Sequence, residues 1–566
     1  MDYELLLINV SRDQGSLSEA FKDSIGQYLI ASYVRQRDFK AFVWSGDTRA
    51  CKRILEREIG GGRTAIAGFY AAADNIRVVG HVIQWLKTMF PRCKTIVGGP
   101  QAAGLDYAFF EETGNDFAIL GEGEIPVYHL LRALVDGTED LREVPSLVMR
   151  DDRERTLIVN QCEDAVVTDL DSLGYPRAED SLTGRLRQGE VAGILTGRGC
   201  PFQCSFCYEG ANAKNVRFRS IQSVMEEIDY IRARNDRLRF ISVYDDTFTL
   251  SRSRILEFCR EIRRRDVLWF CEGHIAFAAG QPELLREMIA SGLSCIQFGI
   301  ESGSKKVLDA YGKHTDFDMI VRAVEQCKRL GIHSVTGNFI IGGAFESEET
   351  IEESKRLAGE LIRRARGIIE LYAVYFAPYP NTRMAREPER FGMEIHEEWE
   401  RIRLHTMRTP VAATTALSRN ALYDIRQDFD EFLREEYQRA ARAPRKADVL
   451  QGLFHNGKRL NLNPTWERLY LSRPHIAVFL EHLTEEEQRF DRNRYIIRTF
   501  EDVKIEDGVL VSDAGVFGGL ERDILACATG VYPASEMAER FGVAIGAVEE
   551  CFCALNERCL VYMAQF

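Results

Sequence analysis

Along the first 135 positions, apolar residues come in short bursts separated by longer amphipathic stretches. The segment "YELLLINV" (3–10) is a near-continuous apolar run, the pattern of a strand buried on both faces. An amphipathic stretch follows over 18–37, then "KAFVWS", a second helix, "TAIAGF", a helix through 90, "KTIVGG" and "FAILGEGE". Five such strand–helix units predict an α/β domain with a doubly wound parallel sheet over 1–136. Glycines follow the strands at Gly68, at Gly98 and Gly99 before Pro100, and at Gly121 and Gly123 on either side of Glu122. Tight turns therefore line the carboxyl edge, where open α/β sheets bind ligands.

The alternation lapses over 137–189, where "PSLVMRDDRERTLIVNQ" predicts a β-hairpin and "DLDSLGYPRAED" a linker. It resumes with "EVAGILTGRG", "LRFISVYDD", "LWFCEGH", "CIQFGIES", "HSVTGNFIIGG" and "LYAVYFAP", each followed by a helical stretch or a turn. Six strands with crossovers predict a partial (β/α)6 TIM-like barrel over 190–386. Residues 387–490 are polar, rich in Arg and Glu, and predict a helical cap. Over 491–566, two strands precede three short helices. The apolar spacing of Ile524, Leu525, Ala528, Met537, Phe541, Val548, Leu555 and Leu560 there fits a small winged-helix-like core.

Composition narrows the function. The 566 residues are 45% hydrophobic and 28% charged, enough for several globular cores. The net charge is −13 and no basic stripe stands out, so the electrostatic footprint of a nucleic-acid binder is missing. Glu536, Glu539, Glu549, Glu550 and Glu557 make the winged-helix-like segment acidic as well. No apolar run approaches the roughly 18 residues of a membrane helix, and "MDYELLLINV" carries no secretory signal, so a cytoplasmic protein without membrane partners is expected. Most of the fourteen cysteines, Cys259, Cys327 and Cys527 among them, sit in apolar periodic runs and read as buried thiols of a reducing compartment.

Three cysteines differ. In "RGCPFQCSFCY", Cys200, Cys204 and Cys207 follow the first barrel strand, at the ligand-presenting end of such a fold. A structural zinc site wants a fourth soft ligand, and the nearest candidates, Cys162 and Cys259, lack paired spacing. A thioredoxin-like pair leaves Cys200 idle. Three thiolates on a short loop suit an iron–sulfur cluster with one iron open to a small molecule. On spacing alone, zinc and plain core thiols stay open beside the cluster.

The run Cys200-Pro-Phe-Gln-Cys204-Ser-Phe206-Cys207 resembles the C-x-x-x-C-x-aromatic-C motif of the radical S-adenosylmethionine (SAM) enzymes, and the resemblance extends over about 190–385. It implies a 4Fe–4S cluster on the triplet, with Phe206 and Tyr208 beside SAM. The resemblance further places Asp245 and Asp246 of "YDD" near the SAM amine, and Glu301 and Ser302 of "FGIESGS" near its ribose and carboxylate. Ile341 and Gly342 of "IIGGAFES" match the turn after the fifth strand, and "APYPNT" the sixth-strand turn near adenine. Asp-Asp stands where Gly-Gly-Glu is commoner, and Ala344-Phe345 where Pro-Gly is.

The N-terminal sheet resembles the cobalamin-binding domain of one branch of that family, the class B methyltransferases: "IVGGPQAAG" is similar to its "GGPHAT" turn and "ILGEGE" to its "GEGE" turn. The resemblance implies cobalamin contacts at Gly68, Tyr70, Gly98, Gly99, Pro100, Gly121, Glu122 and Gly123. The D-x-H-x-x-G signature is absent, and His81 reads as a helix-face histidine. The loop "GFYAAAD" (68–74), with Tyr70, is then the candidate for the lower face of the corrin.

A cobalamin-dependent radical SAM enzyme is thus expected, methylating an unactivated carbon of a peptide or natural-product intermediate. An electron donor such as flavodoxin or ferredoxin is implied as partner. A rearrangement, cyclisation or ring contraction without methyl transfer is the alternative, and a cobalamin-sensing binding protein is the reading from another class. The C-terminal segment loosely resembles peptide-recognition modules that take a leader peptide as an added strand, with "RYIIRTFEDV" and "DGVLVSD" supplying the edge. Tyr372, Tyr375, Tyr379 and Arg383 lie near the last barrel strand, on the side expected to face substrate.

Overall fold

The computed structural model describes residues 4–11, 24–62, 64–72, 75–161, 165–184, 186–187, 189–212, 215–396, 409–483 and 489–565. Cys162, Ala73 and Asp74, named above as candidate ligand or loop residues, lie outside the described residues, as does the start of the 18–37 stretch.

The first sheet is built from β1 (Leu5–Ser11), β2 (Ala41–Asp47), β3 (Ile66–Tyr70), β4 (Lys94–Gly98), β5 (Phe117–Ile119), β6 (Leu147–Asp151) and β7 (Thr156–Val159). Its order is β2-β1-β3-β4-β5-β6-β7, with the first five strands parallel. Alternation along β1 explains why it lies inside. Leu5 and Leu7 enter one buried cluster with Tyr28 and Leu29 of α1 (Ile25–Arg35) and Leu130 of α5 (Glu124–Leu131). Leu6, Ile8 and Val10 enter the other, with Leu55 of α2 (Thr48–Gly60), Val79 and Ile83 of α3 (Ile76–Met89) and Phe110 of α4 (Tyr107–Thr113). A period of two thus feeds two cores on opposite faces. The hairpin expected within the linker is a continuation of this sheet: β6 pairs antiparallel with β5, and β7 with β6. Val148 points into the second core, which is why the hairpin docks and does not hang free.

The second sheet has the order β15-β14-β13-β12-β11-β8, the six strands expected for a partial barrel: β8 (Val191–Ile194), β11 (Phe240–Val243), β12 (Leu268–Gly273), β13 (Leu293–Glu301), β14 (Ser334–Ile341) and β15 (Ile369–Tyr375). After β8 a two-residue ladder joins β9 (Gly197–Arg198) to β10 (Arg217–Phe218). The connecting helices are α6 (Tyr208–Asn212), α7 (Ile221–Arg232), α8 (Arg252–Ile262), α9 (Ile275–Gly280), α10 (Pro282–Ala290), α11 (Lys305–Ala310), α12 (Phe317–Leu330) and α13 (Glu348–Arg364). In the first unit of this barrel, Glu227 of α7 is sealed between Arg187 (2.7 Å) and Arg219. Burial opposes its charge, but the two guanidinium groups hold its carboxyl below the usual range.

The chain divides into two compact units. The first is Met1–Ala323, Gly337–Arg356 and Tyr372–Phe429; the second is Val324–Thr336, Leu357–Leu371 and Asp430–Phe566. In the second, Trp466 donates its indole N–H to the Ile369 carbonyl (2.7 Å) and packs on Tyr437 and Tyr470. Further along, the strand Tyr495–Arg498 lies between Thr529–Pro533 and Val561–Ala564. Helices Gly519–Cys527, Ala534–Phe541 and Ile545–Glu557 close over Ile496, Ile524, Met537, Val548 and Leu555. Among the described residues, no helix is long and apolar enough to cross a membrane.

Candidate functional site

The cysteine loop begins at Gly199, whose φ of +88° turns the chain sharply out of β9. Its N–H donates to Asp246 (2.7 Å), which stands at the end of β11. Cys200 is buried, with its sulfur 3.6 Å from the Thr247 hydroxyl, and Cys204 and Cys207 are half-buried. The middle of the loop is pinned at Ser205. Its N–H donates to the Tyr311 carbonyl (2.9 Å), its hydroxyl to the Ala310 carbonyl (2.9 Å), and its carbonyl accepts the Met384 N–H (3.1 Å). Phe206 meets the fully buried ring of Tyr311 edge-on at 4.9 Å, and Phe202 stacks on His274 at 4.3 Å.

Burial pushes the Cys204 thiol up and the Cys207 thiol to about 12, so bare sulfurs here stay protonated until a metal displaces the protons. Among the described residues, no three His, Cys, Asp or Glu side chains converge on a point that holds a single metal ion. The sulfurs form a chain of neighbours, Cys200 acting electrostatically on Cys204 and Cys204 on Cys207. A donor set of three spaced soft thiols fits a cluster, which takes each cysteine at a separate iron.

The acids around the loop are held in different ways. Asp245 is committed to the backbone: it accepts the Thr196 N–H (2.6 Å) and hydroxyl (2.5 Å) and the Gly197 N–H (2.9 Å), while burial pushes it up to about 6. Asp246, beyond its bond to Gly199, is raised by burial and by the charge of Glu122. Glu209 of α6 is pushed up to about 8 by burial, then by Asp246 and Glu122. Glu301, at φ +65°, is bound by Lys313 (2.9 Å) and Asn338 (2.7 Å). The Glu301 carboxylate and the Lys313 ammonium occupy the space a side chain at Gly299 would need. The carboxyl of Glu272 of β12, in register with Gln297 of β13, has neither a hydrogen-bond nor an ion-pair partner among the described residues, and burial lifts it to about 7. Ser302 is fully buried and meets the Ser354 hydroxyl at 3.2 Å. Ile341 is buried at the end of β14, and the N–H of Gly342 donates to Glu346. Tyr208 lies 6.3 Å from the ring of Tyr379.

On the N-terminal sheet the glycine-rich edge is only partly one surface. Gly98 and Gly121 face open space: an added Cβ meets nothing within 4 Å at either. Nearby, the buried Gln101 amide nitrogen has no hydrogen-bond partner among the described residues. Open backbone with an unsatisfied polar group fits a large flat ligand. Gly99, at φ +96°, lets Tyr70 lie against it, since a Cβ there would come within 2.9 Å of that ring. Pro100 opens the turn Pro100–Gly104, and Gly104 abuts Pro380 of the "APYPNT" turn. Gly68 sits in mid-strand beside Leu7, away from this edge, and Gly123 packs on Ile30 of α1. His81 lies on the exposed face of α3.

Glu122 joins the edge to the barrel. It accepts from Arg198 (2.9 Å) and from Arg217 (3.1 Å), while Arg198 also reaches Glu124 (2.6 Å). Burial works against the charge of Arg198, but Glu124 and Glu122 outweigh it and hold the guanidinium above its usual range. Sequence reasoning missed Arg198, Arg217, Glu124, Glu209, Glu272, Lys313 and Asn338. Only the position of Arg198 two residues before Cys200 hinted at its place.

Comparison with known proteins agrees with this geometry. Residues 194–358 match the Radical SAM superfamily. An uncharacterized methyltransferase of Pyrococcus horikoshii is 28% identical over 295 residues, 51% of this chain and 61% of the relative. The anaerobic magnesium-protoporphyrin IX monomethyl ester cyclase of Cereibacter sphaeroides is 26% identical over 383 residues, 66% and 59% of the two chains. This chain therefore spans about three fifths of the length of either relative. The radical SAM methyltransferase TsrM from Kitasatospora setae has been solved with tryptophan and a SAM analogue (TM-score 0.56, 16% identity, 70% of this chain and 79% of that one). It has also been solved with cobalamin and a 4Fe–4S cluster (TM-score 0.55, 17% identity, 70% and 77%). The central region is a radical SAM domain, a domain that carries a 4Fe–4S cluster and SAM. The likeness to TsrM establishes a shared fold over 70% of this chain.

Proposed function

We propose that this chain is a cobalamin-dependent radical SAM enzyme that methylates an unactivated carbon of a peptide or natural-product intermediate. What carries the reading is one juxtaposition: within a single compact unit, the cysteine loop and the open glycine edge of the sheet are joined through Arg198 and Glu122. When bound, the cluster supplies the electron that cleaves SAM, and methylcobalamin supplies the methyl group. Cys200, Cys204 and Cys207 hold the cluster. Asp246, Glu301, Ser302 and the backbone at Ile341 and Gly342 orient SAM, with Phe206 and Tyr208 at its sides and Asp245 shaping the turn beneath. Gly98, Gly99, Pro100 and Gly121 cradle the corrin, with Tyr70 below it. Tyr372 and Tyr379 line the substrate side, and the winged-helix-like segment 491–566 recruits a peptide substrate. The reductant is a flavodoxin or ferredoxin.

The test is anaerobic reconstitution with iron, sulfide and hydroxocobalamin, followed by optical and electron paramagnetic resonance spectra. Cluster signals should vanish in Cys200→Ala, Cys204→Ala and Cys207→Ala, and SAM cleavage should fall to background with them. Cobalamin should bind stoichiometrically. A cluster without cobalamin would leave the radical SAM domain standing and defeat methyl transfer. A second reading, ring formation without methyl transfer, is favoured by the alignment with the cyclase over two thirds of the chain. A product heavier by one CH2 decides against it.

A further inference from the structure

The loop that carries the cysteines is fastened to the N-terminal sheet by a guanidinium at each end, Arg198 before it and Arg217 after it. Arg198 spends both terminal nitrogens on that domain, one on Glu122 (2.9 Å) and one on Glu124 (2.6 Å), the two acids of the turn from β5 into α5. Arg217 faces Arg198 across the ladder and binds the same Glu122. Glu124 is buried, Arg198 is 13% exposed and Glu122 is 21% exposed. Removing one partner from such a network leaves a poorly solvated charge, so its members keep together or move together.

The network has a ligand edge on either side. Next to Glu122 is Gly121, at φ +74° with open space where its side chain would be. Next to Arg198 are Gly199, held by Asp246, and then Cys200. A group seated on Gly121 displaces or orders the 121–124 turn. The bidentate fork of Arg198 ties any such shift to the first residue of the cysteine loop. A lysine, a point charge without the fork, keeps the charge and loses the geometry.

We infer that Arg198 is a positioning residue that couples the two ligand sites, so that a corrinoid on the Gly98–Gly121 edge changes the affinity of the radical SAM site for SAM, and SAM changes the affinity for the corrinoid by the same factor. This rests on the cobalamin reading above. Binding linkage makes the two factors equal.

The experiment uses the full chain with its cluster reconstituted. SAM affinity is read from its perturbation of the reduced-cluster resonance, with and without saturating hydroxocobalamin. Hydroxocobalamin affinity is read optically, with and without SAM. The expected result is a change of about five-fold or more in each direction for the parent protein, falling below about two-fold in Arg198→Lys and in Glu124→Gln. Each variant should still bind either ligand alone within about two-fold of the parent. Equal coupling in parent and variants overturns the inference, as does loss of either ligand's binding on its own, which would make Arg198 a plain brace. If the parent binds cobalamin stoichiometrically without any coupling, the inference falls and the function stands. If the parent binds no cobalamin, both fall.

Discussion

Two arginine–glutamate–arginine sandwiches stand within the first barrel unit and its neighbour, and they do different work. Glu227 lies between Arg187 and Arg219 with all three side chains at most 3% exposed. Glu122 lies between Arg198 and Arg217 with its side chain 21% exposed, and Asp246 and Glu209 feel its charge. The sealed sandwich ties α7 to Arg219 just before it and to Arg187 in the segment that precedes β8. The open one joins the turn after β5 to the β9–β10 ladder, beside Gly121 and Gly199. Identical chemistry becomes a brace in one place and a joint in the other, because burial decides whether the charges answer to anything but each other.

The largest effect is expected at the brace. Glu227→Ala leaves two buried guanidinium groups without a counter-charge and should cost about 3–5 kcal/mol in urea unfolding. A loss under about 1 kcal/mol would break the comparison, since that is the cost of an exposed pair.

Glu272 sharpens it from the other side, as a half-buried acid with no paired cation among the described residues. Its folded value of about 7 lies above the ordinary 4.5, so the folded chain holds more protons between those values. The stability from its neutral form is full below about pH 4.5 and is lost as pH rises through about 7. Glu272→Gln stays neutral and should match the parent at pH 4.5, then exceed it by about 2–3 kcal/mol at pH 8 in the cofactor-free chain. Equal pH profiles would mean that water reaches this carboxyl and that it belongs with the open groups.

The smallest effect is expected at the joint. Glu122→Gln should cost about 1–2 kcal/mol, because solvent already screens part of the network. Unfolding as severe as in the Glu227 variant would make the two sandwiches alike.

Much of this was legible beforehand, where short-range pattern governs. The near-continuous apolar run in "YELLLINV" marked a strand buried on both faces, and the six barrel strands appear in chain order because each apolar run is bounded by its own turn. The cysteine loop was legible because three thiols at 200, 204 and 207 have few uses. The docking of the hairpin was not, since Val148 meets the sheet's core only after the chain has folded back. The partners of Glu122 were illegible for the same reason: Arg198 and Arg217 are 76 and 95 residues away. The glutamate of "GEGE", taken as a ligand contact, is occupied by arginines, and nothing local distinguishes those two roles.

The six-stranded sheet does not close on itself, and its outer strands are β8 and β15. Ser205, in the loop that leaves β8, takes the N–H of Met384, in the segment that leaves β15, while holding Tyr311 with its own N–H. The sheet is thus an open hoop and the cysteine loop its clasp. Whatever fills the loop fastens the hoop, by the general rule that a group held only by the folded form stabilises it. The first and sixth strands are therefore tied to one loop, and what that loop binds bears on both.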